Sequence, residues 1–544
     1  MKASSSPCRA IGSSPEAVNG YASHPNLLPD PKKERVVILG SGWAGYAFAR
    51  KLDPAKYERI VISPRSYFVF TPLLASTAVG TLEFRAVLEP VRRAGVAFYQ
   101  GWADDIDFSR KTIRVEANAT DDLSNRPVPL ADPPKPEGGA TAEGMPRPHP
   151  PRPPKGQDRQ PEDTAMFDVA YDKLVVAVGA YSQTFGIEGV RQHAHFLRDI
   201  GDARRIRLRV LSLFEQCSYP TGSGGGGTPL TQEDKRSLLH FAIVGGGPTG
   251  IEFAAELHDL IHEDLATIYP ELLPLVSISV YDIAPKVLPM FDQALARYAM
   301  DIFARQGIAV KTEHHLQRVR LADGHLGDEH GMLRVRIKEY GDEEVGAGLV
   351  VWSTGLMQNP LVEKLVSKSF AAGKGQGERE EESHLLKDPK TGGIVTDPYL
   401  RARTTTAAGR TADSPATGVL DDVFVIGDCA VIESLGEGEA GGPPTVALPK
   451  TAQVASQQAR HLAVQLNAGD AARRAFRYRD WGTLTYLGGR KAIHQSSADE
   501  LRGWVAWIVW RGAYLTASMS VRNKIMVPVY WAISWMFGRD ISRF

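Results

Sequence analysis

Two stretches of the chain share one unusual pattern. "RVVILGSGWAGYAFARKL" spans residues 35 to 52, and "FAIVGGGPTGIEFAAEL" spans 241 to 257. Each is a short β-branched run, then a glycine-rich turn, then an alternating apolar helix. Gly40-Ser41-Gly42-Trp43-Ala44-Gly45 and Gly245-Gly246-Gly247-Pro248-Thr249-Gly250 both satisfy G-x-G-x-x-G. The first glycine makes the tight strand-to-helix turn, and the second lets backbone approach a pyrophosphate. The third lets helix and strand pack closely, while the helix N-terminus offers its N–H groups to phosphate charge. One such turn arises by chance. Two, each in its strand–turn–helix setting, point to two dinucleotide sites.

The rest of the chain fits two α/β units. Strand-like segments at 171–180, 276–284, 348–355 and 421–430 alternate with helical patterns at 291–306 and 451–466, as in parallel sheets. We therefore expect two Rossmann-like domains, the second inserted in the first. The first domain would run over 35–234 and resume over 395–475, with the second over 235–394. A different composition begins after about 476 and marks a C-terminal region over 476–544. Residues 121–163 carry twelve of the 36 prolines and read as a disordered insertion. "TGSGGGGTP" (221–229) reads as a flexible linker, and the charged run 371–393 as a surface loop. Residues 1–34 are Ser-rich, with Lys2 and Arg9 and no acid before Glu16, which suits either an organelle-targeting segment or a disordered tail.

Bulk composition removes several function classes. Lys plus Arg and Asp plus Glu are both 63, so the basic excess usual for nucleic-acid binding is missing. Three scattered cysteines (Cys8, Cys217 and Cys429) argue against a disulfide framework or a cysteine-ligated metal. His314 and His315 are adjacent and make a poor helical ligand pair, and no calcium-loop pattern is present. No metal site is expected.

The two turns differ downstream. After the second, an apolar strand ends at Asp282, whose carboxylate can accept both ribose hydroxyls and repel a 2′-phosphate. It lies 37 residues past Gly245, beyond the usual ~20, because the crossover is extended; a plain surface aspartate is the competing reading. After the first turn the strand ends in Ser63-Pro64-Arg65, without an acid. Two nucleotide sites in one chain would serve to pass electrons from a nicotinamide to a flavin held between them.

The motifs "GSGWAGYAFARKLD", "VISPRSYFVFTPLLASTAVGTLE", "YDKLVVAVGA", "GGGPTGIEFAAEL", "FVIGDCA", "TAQVASQQA" and "WRGAYLTASMSVRNKIMVPVYWAISWMFGRD" occur in that order. Together they resemble the type II, non-proton-pumping NADH:quinone dehydrogenases, fungal mitochondrial type, over nearly the whole chain from residue 35. The resemblance implies non-covalent FAD at the first turn, with Gly40, Gly42 and Gly45 at its pyrophosphate. It implies that Ser63 and Arg65 replace the acid, and that Thr71 and Pro72 approach the flavin. Gly427 and Asp428 would bind the ribityl and phosphate side, and Gly179 and Gly355 would close strand ends that touch the nucleotides. NADH, preferred over NADPH, would lie on Gly245, Gly247, Gly250 and Asp282. Glu252 would contact the nicotinamide or handle a proton; an acid placed well at a helix N-terminus is its other reading. Gln453 and Gln457 share one helix face and would reach a quinone carbonyl, unless they are merely solvated. Ser456 stands at a variable position, and Lys450 replaces the usual proline. The implied activity is electron transfer from NADH through FAD to ubiquinone, at the mitochondrial inner membrane, as a peripheral protein.

Residues 501–544 hold five of the nine tryptophans, with six basic residues against one acid, Asp540. Arg511 interrupts the first apolar run and Pro528 starts the second, so neither run is expected to span a bilayer. Helices lying in the headgroup plane fit this pattern, and a homodimer interface or core packing fits it too. Disulfide and sulfide:quinone reductases need paired redox cysteines, which the spacing here does not offer. A signalling or assembly flavoprotein of the apoptosis-inducing type is the alternative, set against by the glutamine helix and the Trp-rich tail.

Overall fold

The apolar runs ahead of the glycine turns are interior strands of two separate sheets in the computed structural model of the chain: Glu34–Leu39 in one, His240–Val244 in the other. The structure describes residues 33–118, 165–219, 229–328, 330–371, 382–406, 418–433, 445–446, 448–470, 472–496, 499–518 and 520–542. The proline-rich insertion 121–163, nearly all of the glycine linker 221–229 and nearly all of the N-terminal segment lie outside them.

In the first sheet, Glu34–Leu39 pairs in parallel with Tyr57–Ser63 on one side and Lys173–Val176 on the other. Ala97–Asp107 extends the sheet beyond Tyr57–Ser63, and Gly418–Val425 extends it beyond Lys173–Val176. The second sheet repeats the plan: His240–Val244 lies between Ser277–Tyr281 and Leu349–Trp352, all parallel. Each glycine turn therefore sits where the strand order reverses, the place at which open α/β sheets bind ligands. Val36, Val37, Ile38 and Leu39 are fully buried, because both faces are covered: Val36 and Ile38 share a core with Ala47 and Phe48 of the following helix, and Val37 and Leu39 one with Ile106, Ile113 and Val115 of neighbouring strands. Burial of each such side chain stabilises by about 1.5–3 kcal/mol.

Sheet pairing divides the units elsewhere than at residues 235 and 394. His195–Phe196 joins the second sheet through Leu349–Trp352. Ser369–Ala371 and Glu382–Leu385 join the first through Arg401–Thr406. The described end of the charged run 371–393 is thus partly strand rather than surface loop. Its short "SHLL" stretch pairs with Arg401–Thr406 and buries Ser383, His384 and Leu385.

The helix Ala452–Asn467 packs beside Trp43–Lys51 over the first sheet. The Tyr57 hydroxyl donates to Leu466 O at 2.7 Å, and the Asn467 side chain accepts from Asp53 N at 2.9 Å. Beyond it, Thr483–Tyr486, Ala492–Gln495 and Glu500–Gly503 form a small antiparallel sheet. Two helices follow, Trp504–Ala517 and Val521–Phe537. Pro528 lies inside the second helix, which begins ahead of it at Val521. Among the described residues no helix is long and apolar enough to cross a membrane.

Candidate functional site

The glycines of both turns divide into the same two kinds. Gly40 and Gly245 take φ of +107° and +116°, which L side chains rarely adopt. A Cβ on Gly45 or Gly250 would lie 2.0 Å from the carbonyl oxygen of Gly40 or Gly245. Gly42 and Gly247 are different: a Cβ there would meet nothing within 4 Å. Protein packing does not require glycine at those two positions, so the open space suits a ligand brought against bare backbone. Each is also the N-cap of its helix and lacks a side-chain cap, which leaves N–H groups free for an anion. Both turns fit a dinucleotide pyrophosphate.

Around the first turn, the hydroxyls of Ser41 and Ser63 lie 2.9 Å apart, and Ser41 also reaches the carbonyls of Arg65 and Tyr67 at 3.1 Å. These contacts shape the loop that carries Arg65, whose guanidinium pairs with Asp199 at 3.2 Å. Thr71 opens a short 3₁₀ turn containing Pro72, and its hydroxyl accepts from Trp43 Nε1 at 2.9 Å. Gly179 and Gly355 have φ of +69° and +74°. On the far side, Gly427 N donates to Gln458 Oε1 at 2.6 Å. Burial pushes the Asp428 carboxyl up, and the charges of Arg198 and Lys450 oppose that rise. Gly427, Asp428, Lys450, Val454 and Gln458 line a pocket that opens to solvent. Gln458 and Arg198 escaped sequence reasoning. Gln458 looks like one more helix-surface glutamine, and Arg198 precedes its helix in no motif.

At the second turn, Asp282 accepts from Gly246 N at 2.5 Å and from Ala284 N at 2.7 Å. The carboxylate braces the glycine turn and sits at its edge. Glu252 is buried on the helix Pro248–Asp259 and accepts from Tyr486 N at 3.1 Å and Trp510 Nε1 at 3.3 Å. Burial pushes its carboxyl up to about 8; the two donors oppose the rise, and the charge of Glu256 adds to it. Glu256 and Asp259 are buried on the same helix. Glu256 accepts from Ser76 Oγ at 2.5 Å and Thr81 Oγ1 at 2.9 Å, and Asp259 from the Tyr486 hydroxyl at 2.7 Å. The i, i+4, i+7 spacing of these acids is visible in the sequence. Their burial is not, because acids in a helix normally face water.

Gln453 and Gln457 do share a face, and it is turned toward the segment 478–482. Gln453 Nε2 donates to Gly482 O at 2.8 Å, and its Oε1 accepts from the Tyr478 hydroxyl and Trp481 N, both at 3.2 Å. Gln457 exchanges two bonds with the Arg479 backbone, at 2.8 and 3.0 Å. Ser456 is buried one position away.

The tail is split between inside and outside. Trp510 and Trp531 are 3% and 6% exposed, whereas Trp504 and Trp535 are 67% and 72% exposed. Phe70, Tyr514, Trp510 and Trp531 form a run of ring contacts from 4.9 to 6.3 Å. Arg511 lies between the rings of Trp507 and Trp531, at 4.2 and 4.4 Å. Arg522 donates to Arg85 O, Arg539 pairs with Glu263 and Asp264, and Arg502 lies over the Tyr298 ring. Of these cations, Arg539 is paired with acids and Arg511 is packed between rings, whereas Arg502 stays exposed. Cys217 and Cys429 are both buried and free. Among the described residues, no three His, Cys, Asp or Glu side chains gather as a metal site.

The family model for pyridine nucleotide-disulphide oxidoreductases matches residues 34–459, and the model for the NDH2 C-terminal domain matches 481–540. A probable NADH dehydrogenase of Dictyostelium discoideum is 34% identical, over 94% of this chain and 92% of that protein. The internal alternative NAD(P)H-ubiquinone oxidoreductase A1, mitochondrial, of Solanum tuberosum is 32% identical, over 94% of this chain and 88% of that one. Among solved structures, NDH2 from Plasmodium falciparum in complex with NADH superposes with a TM-score of 0.70 at 22% identity, covering 94% of this chain and all of that one.

Proposed function

Because the chain belongs to the type II NADH dehydrogenases, the alternative NAD(P)H-ubiquinone oxidoreductases, within the pyridine nucleotide-disulphide oxidoreductase fold, we propose that it oxidises NADH and reduces ubiquinone through bound flavin, and that the flavin is FAD. The observation that carries this reading is the pair of glycine turns, each with an open middle glycine at its sheet's switch point. The Trp510–Glu252 contact adds support, because it joins the second turn's helix to the NDH2-type tail. The signalling or assembly alternative finds no support: the tail that argues against it matches the NDH2 C-terminal model.

FAD, when bound, supplies an acceptor for the nicotinamide hydride and a donor for the quinone. Gly40, Gly42 and Gly45 would hold its pyrophosphate, with Ser63, Arg65, Thr71, Pro72, Gly179, Gly427 and Asp428 around it. Gly245, Gly247, Gly250, Asp282 and Gly355 would hold NADH. Glu252, its carboxyl pushed up by burial, would keep a proton beside the reacting rings. Gln453 and Gln457 would shape the quinone chamber by fixing the 478–482 segment, Gln453 keeping one amide hydrogen for the quinone.

Membrane attachment would be peripheral, at the mitochondrial inner membrane, through the exposed side chains of both tail helices. Trp504, Ile508, Val521, Ile525, Trp535 and Phe537 are all more than half exposed. A homodimer through the same face is the competing occupant. The purified protein should be yellow, bleach anaerobically with NADH, recolour with a short-chain ubiquinone, and release FAD on heating. A folded, colourless protein that FAD does not reconstitute would overturn the reading.

A further inference from the structure

Past the second tail helix the chain turns back, and Arg539 and Asp540 reach across both nucleotide-binding units. Arg539 N donates to Asp264 Oδ1 at 2.9 Å, and Nη1 lies 2.6 Å from Asp264 Oδ2 and 2.7 Å from Glu263 Oε2. Both acids belong to the helix that starts at the second glycine turn. That helix passes into a π turn over Leu260–Leu265, a feature that often marks functional positions. Neighbouring residues of a regular α-helix diverge by about 100°, yet in the π turn Glu263 and Asp264 meet one guanidinium.

The other edge of the same guanidinium touches the first unit. Arg539 Nε donates to Thr81 Oγ1 at 3.0 Å, and that hydroxyl donates to Glu256 Oε2 at 2.9 Å. Glu256 also accepts from Ser76, so first-unit hydroxyls and a second-unit carboxylate close around Arg539. Asp540 pairs with Arg207 at 2.6 Å on the helix Ile200–Ser218. A Cβ on Gly80 would lie 2.6 Å from Asp540 O, so this contact needs glycine there. Arg539 is 9% exposed and Arg207 4%. Breaking a pair this buried costs far more than breaking a surface pair.

We propose that Arg539 is a positioning residue for hydride transfer: the C-terminal segment clamps the two nucleotide-binding units at the separation the reaction needs. This rests on the electron-transfer reading above. In that step NADH gives a hydride to the flavin and leaves as NAD⁺, and a misplacement of about 1 Å can cost 100-fold. The clamp lies on the helix carrying Glu252, and it comes from the segment that follows the tail's exposed helices. Tail and catalytic geometry are thereby linked by covalent chain and one guanidinium.

Anaerobic stopped-flow with the full-length protein tests this, using Arg539→Gln, Arg539→Lys and the milder Thr81→Val. Arg539→Gln should lower the limiting rate of flavin reduction at least tenfold, with NADH affinity within twofold and flavin content intact. Thr81→Val should lower the rate about threefold, and Arg539→Lys should recover most of the loss. If Arg539→Gln does not fold, Thr81→Val and Arg539→Lys decide by the same measure. Variants that melt earlier yet reduce flavin at the wild-type rate would make the contact a fastening only and overturn the proposal. A wild type that NADH fails to bleach would overturn the electron-transfer reading together with it.

Discussion

At the scale of single residues, the burial of Glu252 has a measurable electrostatic consequence. Its carboxyl is pushed up to about 8 from an ordinary 4.5. Between those values the folded protein holds a proton that the unfolded chain releases. That contribution is complete below pH 4.5 and is lost as pH rises through 8. Glu252→Gln should therefore flatten the fall of Tm between pH 6 and 8, measured by differential scanning fluorimetry; an unchanged slope would mean the acid is already ionised at neutral pH. Asp282 sits at the edge of the second turn and bonds Gly246 N and Ala284 N. Asp282→Asn should bring the NADH to NADPH ratio of kcat/KM down by about tenfold, since the charge repelling a 2′-phosphate disappears. It should also raise KM for NADH, because losing one turn hydrogen bond costs about 1 kcal/mol. An unaltered ratio would make Asp282 a structural brace only.

The helix Ala452–Asn467 shows how one element can serve two clefts. Gln458 holds the Gly427 turn of the first cleft, while Gln453 and Gln457 hold the 478–482 segment. These contacts lie on different faces, so their loss should separate kinetically. Gln453→Ala should slow flavin reoxidation by ubiquinone severalfold with NADH reduction near normal. Gln458→Ala should instead lower flavin retention, read from the ratio of flavin to protein absorbance. If Gln453→Ala slowed both half-reactions equally, its contact would be supporting the flavin rather than the quinone chamber. The spacing of Gln453 and Gln457 made their shared face legible in sequence. Their partners were not legible, because Tyr478, Arg479 and Gly482 return to the helix through an irregular segment without a motif.

For the whole molecule, the tail unites membrane docking with the interior. Removing residues 503–544 would delete the indole on Glu252 and the Arg539 clamp together, so truncation should destabilise the protein as well as release it. Surface substitutions isolate docking. Trp504→Ser, Ile525→Ser and Trp535→Ser combined should abolish flotation with liposomes while leaving Tm nearly unchanged. Each exposed apolar side chain supplies about 1.5–3 kcal/mol when fully buried, whereas an anionic surface adds about 1 kcal/mol per nearby cation. With Arg511 and Arg539 engaged internally and the apolar side chains supplying the larger part, binding should persist in salt that screens charge within ~10 Å. Flotation lost at moderate salt would show that charge dominates, and a triple variant that still floats would move the docking face elsewhere.

Sequence alone determined the two glycine turns, their strands and helices, and the order of the family's motifs. These follow from local chemistry: left-handed backbone, close helix–strand approach and phosphate-ready N–H groups all need glycine at set positions. Only the tertiary structure decided which polar groups are buried and what pairs them. Glu256 meets Thr81 across 175 residues, and Arg539 meets Asp264 across 275. Trp504 and Trp510 divide for a helical reason: they are six residues apart, about 120° around the axis at 100° per residue. One therefore faces Glu252 and the other faces out. Composition counts the indoles alike, and only packing tells the inward ring from the outward one.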